Sequence, residues 1–194
     1  MQLDLIRHGV TPSNLGHRFN DSEDEPLAEE ALAALAAIRF DPSRYDLVFV
    51  SPMRRAVQTA DGLGLRDFVL EPRIGERGLG VFQGLTAAQC RAGYNAEFET
   101  FLTYDADFCI PRGESRRGHL QRVSSWLEEA AHSGANHVLA ITHGGTVDFI
   151  YRMGAGLGLH GGGSIFGGEN LSRSSFLVEW PKVSLIRYDE PLFS

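Results

Sequence analysis

Leu3-Asp4-Leu5-Ile6-Arg7-His8-Gly9 and Val138-Leu139-Ala140-Ile141-Thr142-His143-Gly144-Gly145 share one design: an apolar run, then a histidine, then glycine. Short apolar runs bounded by turn residues read as buried strands. In an open α/β sheet, ligands bind outside the carboxyl ends of the strands. The two histidines therefore predict one site assembled from both ends of the chain.

The first and last of these runs, at 2–6 and 138–142, are accompanied by strand-like segments at 46–50, 67–71, 174–180 and 183–188. Between them, Leu27, Ala31, Leu32, Leu35 and Ile38 recur at helical spacing, and Glu29 and Glu30 fall in the first turn, where the helix dipole favours acids. Residues 53–63, 87–102, 115–131 and 147–153 read as further helices, the last one stopped by glycine. This alternation predicts the α/β class, as a three-layer α/β/α sandwich with a mainly parallel central sheet. Only Pro181 and Lys182 separate the final two strands, which predicts a hairpin or a bend at one edge. No internal repeat or linker interrupts the pattern, so residues 1–194 read as one domain.

Composition narrows the function. A hydrophobic content of 43% is ordinary for a soluble globular protein, and no apolar run approaches the roughly 18 residues that would span a bilayer. Asp4 interrupts the first run early, so no signal peptide is expected and a cytoplasmic location is predicted. Two cysteines, Cys90 and Cys109, are too few for a disulfide framework. The net charge of −7 argues against bulk nucleic-acid or membrane binding. It leaves room for a small anionic substrate, because a few arginines in one pocket override the global sign. Residues 154–168 hold eight glycines, and 156–161 satisfy G-x-G-x-x-G. A dinucleotide site needs a strand before that motif and a helix after it. Here a helix precedes it and more glycine follows, which favours a surface loop.

Four segments carry candidate chemistry. Beside His8, Arg7 offers a planar donor fork suited to phosphate or carboxylate, and Gly9 admits a ligand close to the backbone. Thr11 and Asn14 add donors in the following turn. Ser51-Pro52 reads as a helix start with Pro52 in the first turn, favourable for anions, and places Arg55 one turn in, able to aim back at the same site. Arg54 reads as solvated. Glu76 lies in a glycine-rich, partly apolar loop and is a candidate for proton transfer. In Pro111-Arg112-Gly113-Glu114-Ser115, Glu114 or Ser115 begins the next helix, and Arg112, Arg116 and Arg117 are either ligands for a second anionic group or ordinary surface charges.

The ordered set Arg7-His8-Gly9-x-Thr11, Ser51-Pro52-x-x-Arg55-Ala56-x-Gln58-Thr59-Ala60, Glu76-Arg77-x-x-Gly80, Pro111-x-Gly113-Glu114-Ser115 and His143-Gly144-Gly145 resembles the histidine phosphatase superfamily, with its phosphoglycerate mutase-like fold. The resemblance runs from Leu3 to about Val178. It implies that His8 is a nucleophile that becomes phosphorylated, that Glu76 is the general acid, and that His143 and Arg7, Arg55, Asn14 and the Gly144 amide bind phosphate. The positive charge of two guanidiniums and a protonated His143 would serve without metal or other cofactor. His8 must attack as the neutral ring, so its other nitrogen is expected to donate to a backbone carbonyl.

Three places depart from the family's pattern: Arg18 is followed by Phe19-Asn20-Asp21 and the acidic run Glu23-Asp24-Glu25, residues 27–31 read Leu-Ala-Glu-Glu-Ala, and the glycine loop is long. An acidic run near the mouth would oppose heavily anionic substrates; the alternative is a solvated charged loop. The compact interval between Glu76 and His143 favours hydrolysis of a small phosphorylated metabolite over mutase-type transfer. The complete set of five central residues disfavours a non-catalytic phosphate-binding relative. The seven histidines show no metal-ligand spacing, which disfavours a metallohydrolase. A homodimer through an edge strand is compatible with the pattern, though no motif specifies it.

Overall fold

The computed structural model describes residues 1–20, 25–158 and 168–192. Its sheet contains β1 (Gln2–Arg7), β2 (Leu47–Val50), β3 (Val69–Leu70), β4 (His137–Thr142), β5 (Ser172–Glu179) and β6 (Lys182–Pro191) in the order β3-β2-β4-β1-β5-β6. The first four are parallel, and the β5–β6 hairpin adds antiparallel to the β1 edge. The helices are α1 (Pro12–Leu15), α2 (Glu29–Ala37), α3 (Arg54–Gly62), α4 (Ala87–Gly93), α5 (Asn95–Leu102), α6 (Arg116–Ala131) and α7 (Gly144–Gly154).

Alternation along the central strands separates two cores. Leu3, Leu5, Val138 and Ala140 face Val123, Trp126 and Leu127 of α6 and Val147 and Ile150 of α7. Ile6, Leu139 and Ile141 point the other way, with Val48 and Val50, against Ala31 and Leu35 of α2 and Ala56 and Ala60 of α3. Both faces of the parallel strands are covered, which is why their sequences read as continuous apolar runs. Asp4 is the exception, fully buried in β1. Its carboxylate accepts hydrogen bonds from Tyr45 Oη at 2.7 Å and Arg44 Nη2 at 3.2 Å. A buried acid is tolerable only with such partners.

The central register positions the site. β1 and β4 are neighbours, with Arg7 level with Thr142. The ladder continues past the strands: the His8 amide donates to Thr142 O at 2.9 Å, and the Ser51 amide donates to Ile141 O at 3.0 Å. His8, His143 and Ser51 thus leave three adjacent strands at one carboxyl edge. Beyond that edge, Phe82, Cys90, Phe98 and Ile110 form a small third core with Phe19 and Phe101 packed on it.

Several boundaries differ from those read along the chain. The segment 67–71 is a strand only at Val69–Leu70, because this short edge pairs with β2 alone. The expected helix 87–102 breaks at Tyr94, whose φ of −144° takes it out of helical geometry, so that α4 and α5 fold round the third core. The helix after β2 begins at Arg54 with Met53 at its N-cap, so Pro52 precedes the first turn. The helix expected from Val147 begins three residues earlier, at Gly144, with His143 as N-cap. The acidic residues Asp21, Glu23 and Asp24, and positions 159–167 of the glycine loop, lie outside the described residues. Among the described residues, no helix is long and apolar enough to cross a membrane.

Candidate active site

His8 follows the last residue of β1 and is buried. Its Nδ1 lies 2.7 Å from Gly9 O. A carbonyl can only accept, so Nδ1 carries the proton and Nε2 carries the lone pair, as expected from the sequence. Burial, then Arg55, then Arg7 hold its pKa well below the usual histidine value. The ring is therefore neutral at physiological pH. Asn170 Nδ2 donates to His8 O at 2.8 Å and fixes the backbone from the β5 side.

The segment after β2 is used almost residue by residue. Arg55 is buried and is the charged neighbour with the largest effect on both His8 and His143. Gln58 Oε1 accepts the Leu27 amide at 2.8 Å, and Thr59 Oγ1 accepts the Gly9 amide at 3.0 Å, so this helix also fixes the loop that follows His8. Arg54 is exposed, as read. Ser51, read from the sequence as a helix start, serves a different purpose. Its Oγ lies 2.7 Å from His143 Nε2 and accepts the Met53 amide at 3.4 Å. The hydroxyl has two lone pairs and one proton, so Oγ can meet either tautomer of His143. Nδ1 of His143 is buried and has no hydrogen-bond partner among the described residues.

His143 shares the electrostatic environment of His8. Burial pushes its pKa well down, and Arg55 and His8 push further in the same direction. Without an anion in place the ring is neutral. Its ring centroid stands 5.1 Å from that of His8. Arg7, also held below its usual range by burial, donates through Nη1 to Gly168 O and lies against Gly144.

Glu76 is half-buried on the other side of this cluster. Its Oε1 accepts the Arg77 amide at 2.8 Å and its Oε2 the Gly145 amide at 3.2 Å. Gly144, the first residue of α7, is its neighbour in the chain. The loop behind Glu76 is held by Arg122, whose Nη1 donates to Arg73 O and Gly75 O and whose Nη2 donates to Glu76 O at 2.9 Å. Glu114 pairs with Arg122 at 2.9 Å, and Ser115 caps α6, so this motif buttresses the acid. Sequence reading missed Arg122, Ser51, Asn170 and the buried His119. Arg122, Asn170 and His119 act through contacts with distant segments and no local pattern marks them, whereas Ser51 stands in the Arg55 motif but its contact with His143 arises from the fold.

Arg7, Glu76 and Gly144 line one cavity of about 520 Å³ together with Asn14, Arg77, Arg116, His119 and Asp148. Phe19, Leu79, Phe98 and Phe101 supply an apolar wall continuous with the third core. Asn14 is at the cavity but its amide is engaged: Nδ2 donates to Asn20 Oδ1 at 3.1 Å, while Oδ1 caps the Thr11 amide. Of the three arginines considered for a second anion, only Arg116 lines the cavity. Arg112 is exposed, and Arg117 pairs with Asp107 at 2.9 Å.

Residues 3–188 match the histidine phosphatase superfamily (branch 1). The glucosyl-3-phosphoglycerate phosphatase of Mycobacterium tuberculosis is 32% identical over 160 residues, covering 75% of this chain and 71% of its own. The metal-independent phosphoserine phosphatase of Arabidopsis thaliana is 30% identical over 157 residues, covering 76% and 66%. Curated matches also include 2,3-bisphosphoglycerate-dependent phosphoglycerate mutases. Among solved structures, Bacillus stearothermophilus YhfR superimposes with a TM-score of 0.84 at 23% identity, over 97% of this chain and 96% of that one, a likeness of fold. With the family's pattern spanning nearly the whole sequence, the chain belongs to the histidine phosphatase superfamily, branch 1.

Proposed function

We propose that the chain is a metal-independent phosphomonoesterase acting on a small phosphorylated metabolite through a phosphohistidine on His8. The observation that carries this reading is the state of His8: a buried ring, protonated at Nδ1 toward Gly9 O, with its Nε2 lone pair in the field of two arginines. A neutral imidazole held beside guanidiniums is a nucleophile beside a phosphate cradle. The supporting relatives include two phosphatases.

In the first step His8 Nε2 attacks phosphorus and the ester P–O bond breaks. Its electron pair leaves on the alcohol oxygen, which takes a proton from Glu76. In the second step water attacks phosphorus, the N–P bond breaks and the water proton goes to Glu76, releasing inorganic phosphate. Arg7, Arg55 and His143 Nδ1–H would stabilise the equatorial oxygens, where phosphoryl transfer concentrates charge. The anion itself supplies the reason for His143 to gain a proton. A dianion beside it opposes the arginine field that keeps the empty site neutral.

Hydrolysis of phenyl phosphate in the presence of a chelator tests the reading. Native protein should turn over, His8→Ala should not, and a quench in alkaline detergent should trap a base-stable, acid-labile phosphoenzyme on the native chain alone. Undiminished turnover by His8→Ala would refute it. Isomerisation of phosphoglycerate faster than its hydrolysis would replace it with the mutase alternative.

A further inference from the structure

Beside His8 and His143 the fold buries His119 of α6, a histidine that neither step of the proposed reaction uses. Burial, then Arg122 and Arg77, hold its pKa well below the usual histidine value, so the ring is neutral. Its Nδ1 is buried without a hydrogen-bond partner among the described residues. A polar atom left in this way lowers stability. An apolar side chain would fill the same space without that cost. What the imidazole adds is the contact of its other nitrogen.

That nitrogen, Nε2, lies 3.1 Å from Thr146 Oγ1 on α7. The Thr146 hydroxyl donates toward Ile74 O at 3.3 Å and Gly75 O at 3.4 Å, and Thr142 Oγ1 donates to Ile74 O at 2.6 Å. Ile74 and Gly75 lead directly into Glu76. The carboxylate at the end of this stretch is seated by the Gly145 amide, 3.2 Å from Oε2. The same imidazole stands behind that seat, since a Cβ on Gly145 would lie 3.1 Å from His119 Cε1. The ring is also edge-on to Phe149 of α7, with centroids 4.8 Å apart. Arg122 ties the loop before Glu76 to α6; His119 and Thr146 tie it to α7, the helix that carries the seat of the carboxylate.

We infer that His119 and Thr146 are positioning residues for Glu76, holding its carboxylate against the leaving oxygen through the Ile74–Gly75 main chain and the first turn of α7. This rests on the phosphatase reading above, in which Glu76 gives its proton to the leaving alcohol. The pair touches no reacting atom. Its influence falls on the part of the reaction that needs the acid, protonation of the leaving oxygen, and spares phosphate binding by Arg7 and Arg55. Proton donation matters most when the leaving oxygen is basic. A catalytic group whose supporting contacts are loosened drifts from its productive geometry, and rate is lost without any change in the group itself.

Thr146→Val removes the hydroxyl and keeps the branched shape, and His119→Phe keeps a flat ring without the nitrogen. The assay is kcat/KM along a series of esters with increasingly basic leaving oxygens: p-nitrophenyl phosphate, phenyl phosphate and glycerol 2-phosphate. Both variants should lose at least about tenfold on glycerol 2-phosphate and less than about threefold on p-nitrophenyl phosphate, so that the dependence on the leaving group steepens. Thr146→Ser, which restores the hydroxyl, should recover most of the loss on the alkyl ester. The inhibition constant of inorganic phosphate should not change. The Val and Phe changes together should cost little more than the larger one alone, since both break one link. If His119→Phe fails to fold, the Thr146 variants carry the test. Equal losses on all the esters, or no recovery by Thr146→Ser, would overturn the inference while leaving the phosphatase reading intact. A native chain that hydrolyses none of the esters would sink the phosphatase reading, and the inference with it.

Discussion

Replacing Gly145 by alanine removes the seat of Glu76 without altering a charge. The Gly145 amide donates to Oε2 at 3.2 Å, and a Cβ on this residue would overlap Oε1 and stand 3.1 Å from His119 Cε1. His119 cannot give way easily. It is fully buried, 3.1 Å from Thr146 Oγ1 and edge-on to Phe149. The carboxylate is the part that moves. A misplacement of about 1 Å at a catalytic group costs on the order of a hundredfold, and complete loss of general acid–base help costs about 10²–10⁴-fold. We therefore expect kcat/KM for an alkyl ester such as glycerol 2-phosphate to fall by about 10²–10⁴, a barrier increase of roughly 3–5 kcal/mol. The assay compares that ester with p-nitrophenyl phosphate, whose leaving group departs with little protonation, so its loss should be at least about tenfold smaller. In a Glu76→Gln background the alanine should add little, since both changes disable one function. An equal loss on both esters, or an effect that multiplies with Glu76→Gln, would refute the placement of Glu76 as proton donor and of Gly145 as its seat.

Two further outcomes concern stability. His8, His119 and His143 are buried with pKa values held well below normal, by desolvation first and by neighbouring arginines next. The unfolded chain protonates these groups near pH 6.5 and the folded chain does not, so their contribution is complete above that pH and is lost as pH falls below it. Each gives a limiting slope of about 1.4 kcal/mol per pH unit, so three give about 4; urea midpoints between pH 7.5 and 5 should fall steeply, and a flat profile would contradict neutral burial. Asp4→Ala strips Tyr45 Oη and Arg44 of their shared acceptor and should destabilise by about 1–3 kcal/mol. Tyr45→Phe, which removes one donor and leaves the carboxylate with Arg44, should cost less in the same denaturation experiment.

The site gathers groups in unfavourable electrostatic surroundings. Arg7 and both histidines are shifted in the direction that burial of charge dictates, and Asp148 is raised by burial despite Arg152 and Arg116. Groups perturbed in this way cluster where a ligand is to be met.

Much of this architecture is legible locally. Apolar runs at 2–6, 46–50 and 138–142 fall within or beside central strands, because strands covered on both faces have little polar alternation to obscure them. The hairpin of 174–180 with 183–188 is present, its short connection leaving room only for a turn. Arg7, His8, Arg55, Glu76 and His143 come from four short motifs, and β1–β4 pairing brings the histidines together. Boundaries were less legible where one residue's backbone decided them, as at Tyr94 and at Met53.

By itself, the order of residues determined the alternation of strand and helix, the carboxyl edge at which the histidines emerge and the kind of chemistry they suit. These depend on periodicities of two and about four residues and on side chains next to one another in the chain. Only the tertiary structure decided that Ser51 orients His143, that Arg122 supports the Glu76 loop, and that Arg116 alone among Arg112, Arg116 and Arg117 reaches the cavity. It also decided that burial, Arg55 and His8 hold the His143 pKa well below the usual histidine value. Burial and the field of distant charges set these properties, and both arise from strand register and helix packing between residues far apart in sequence.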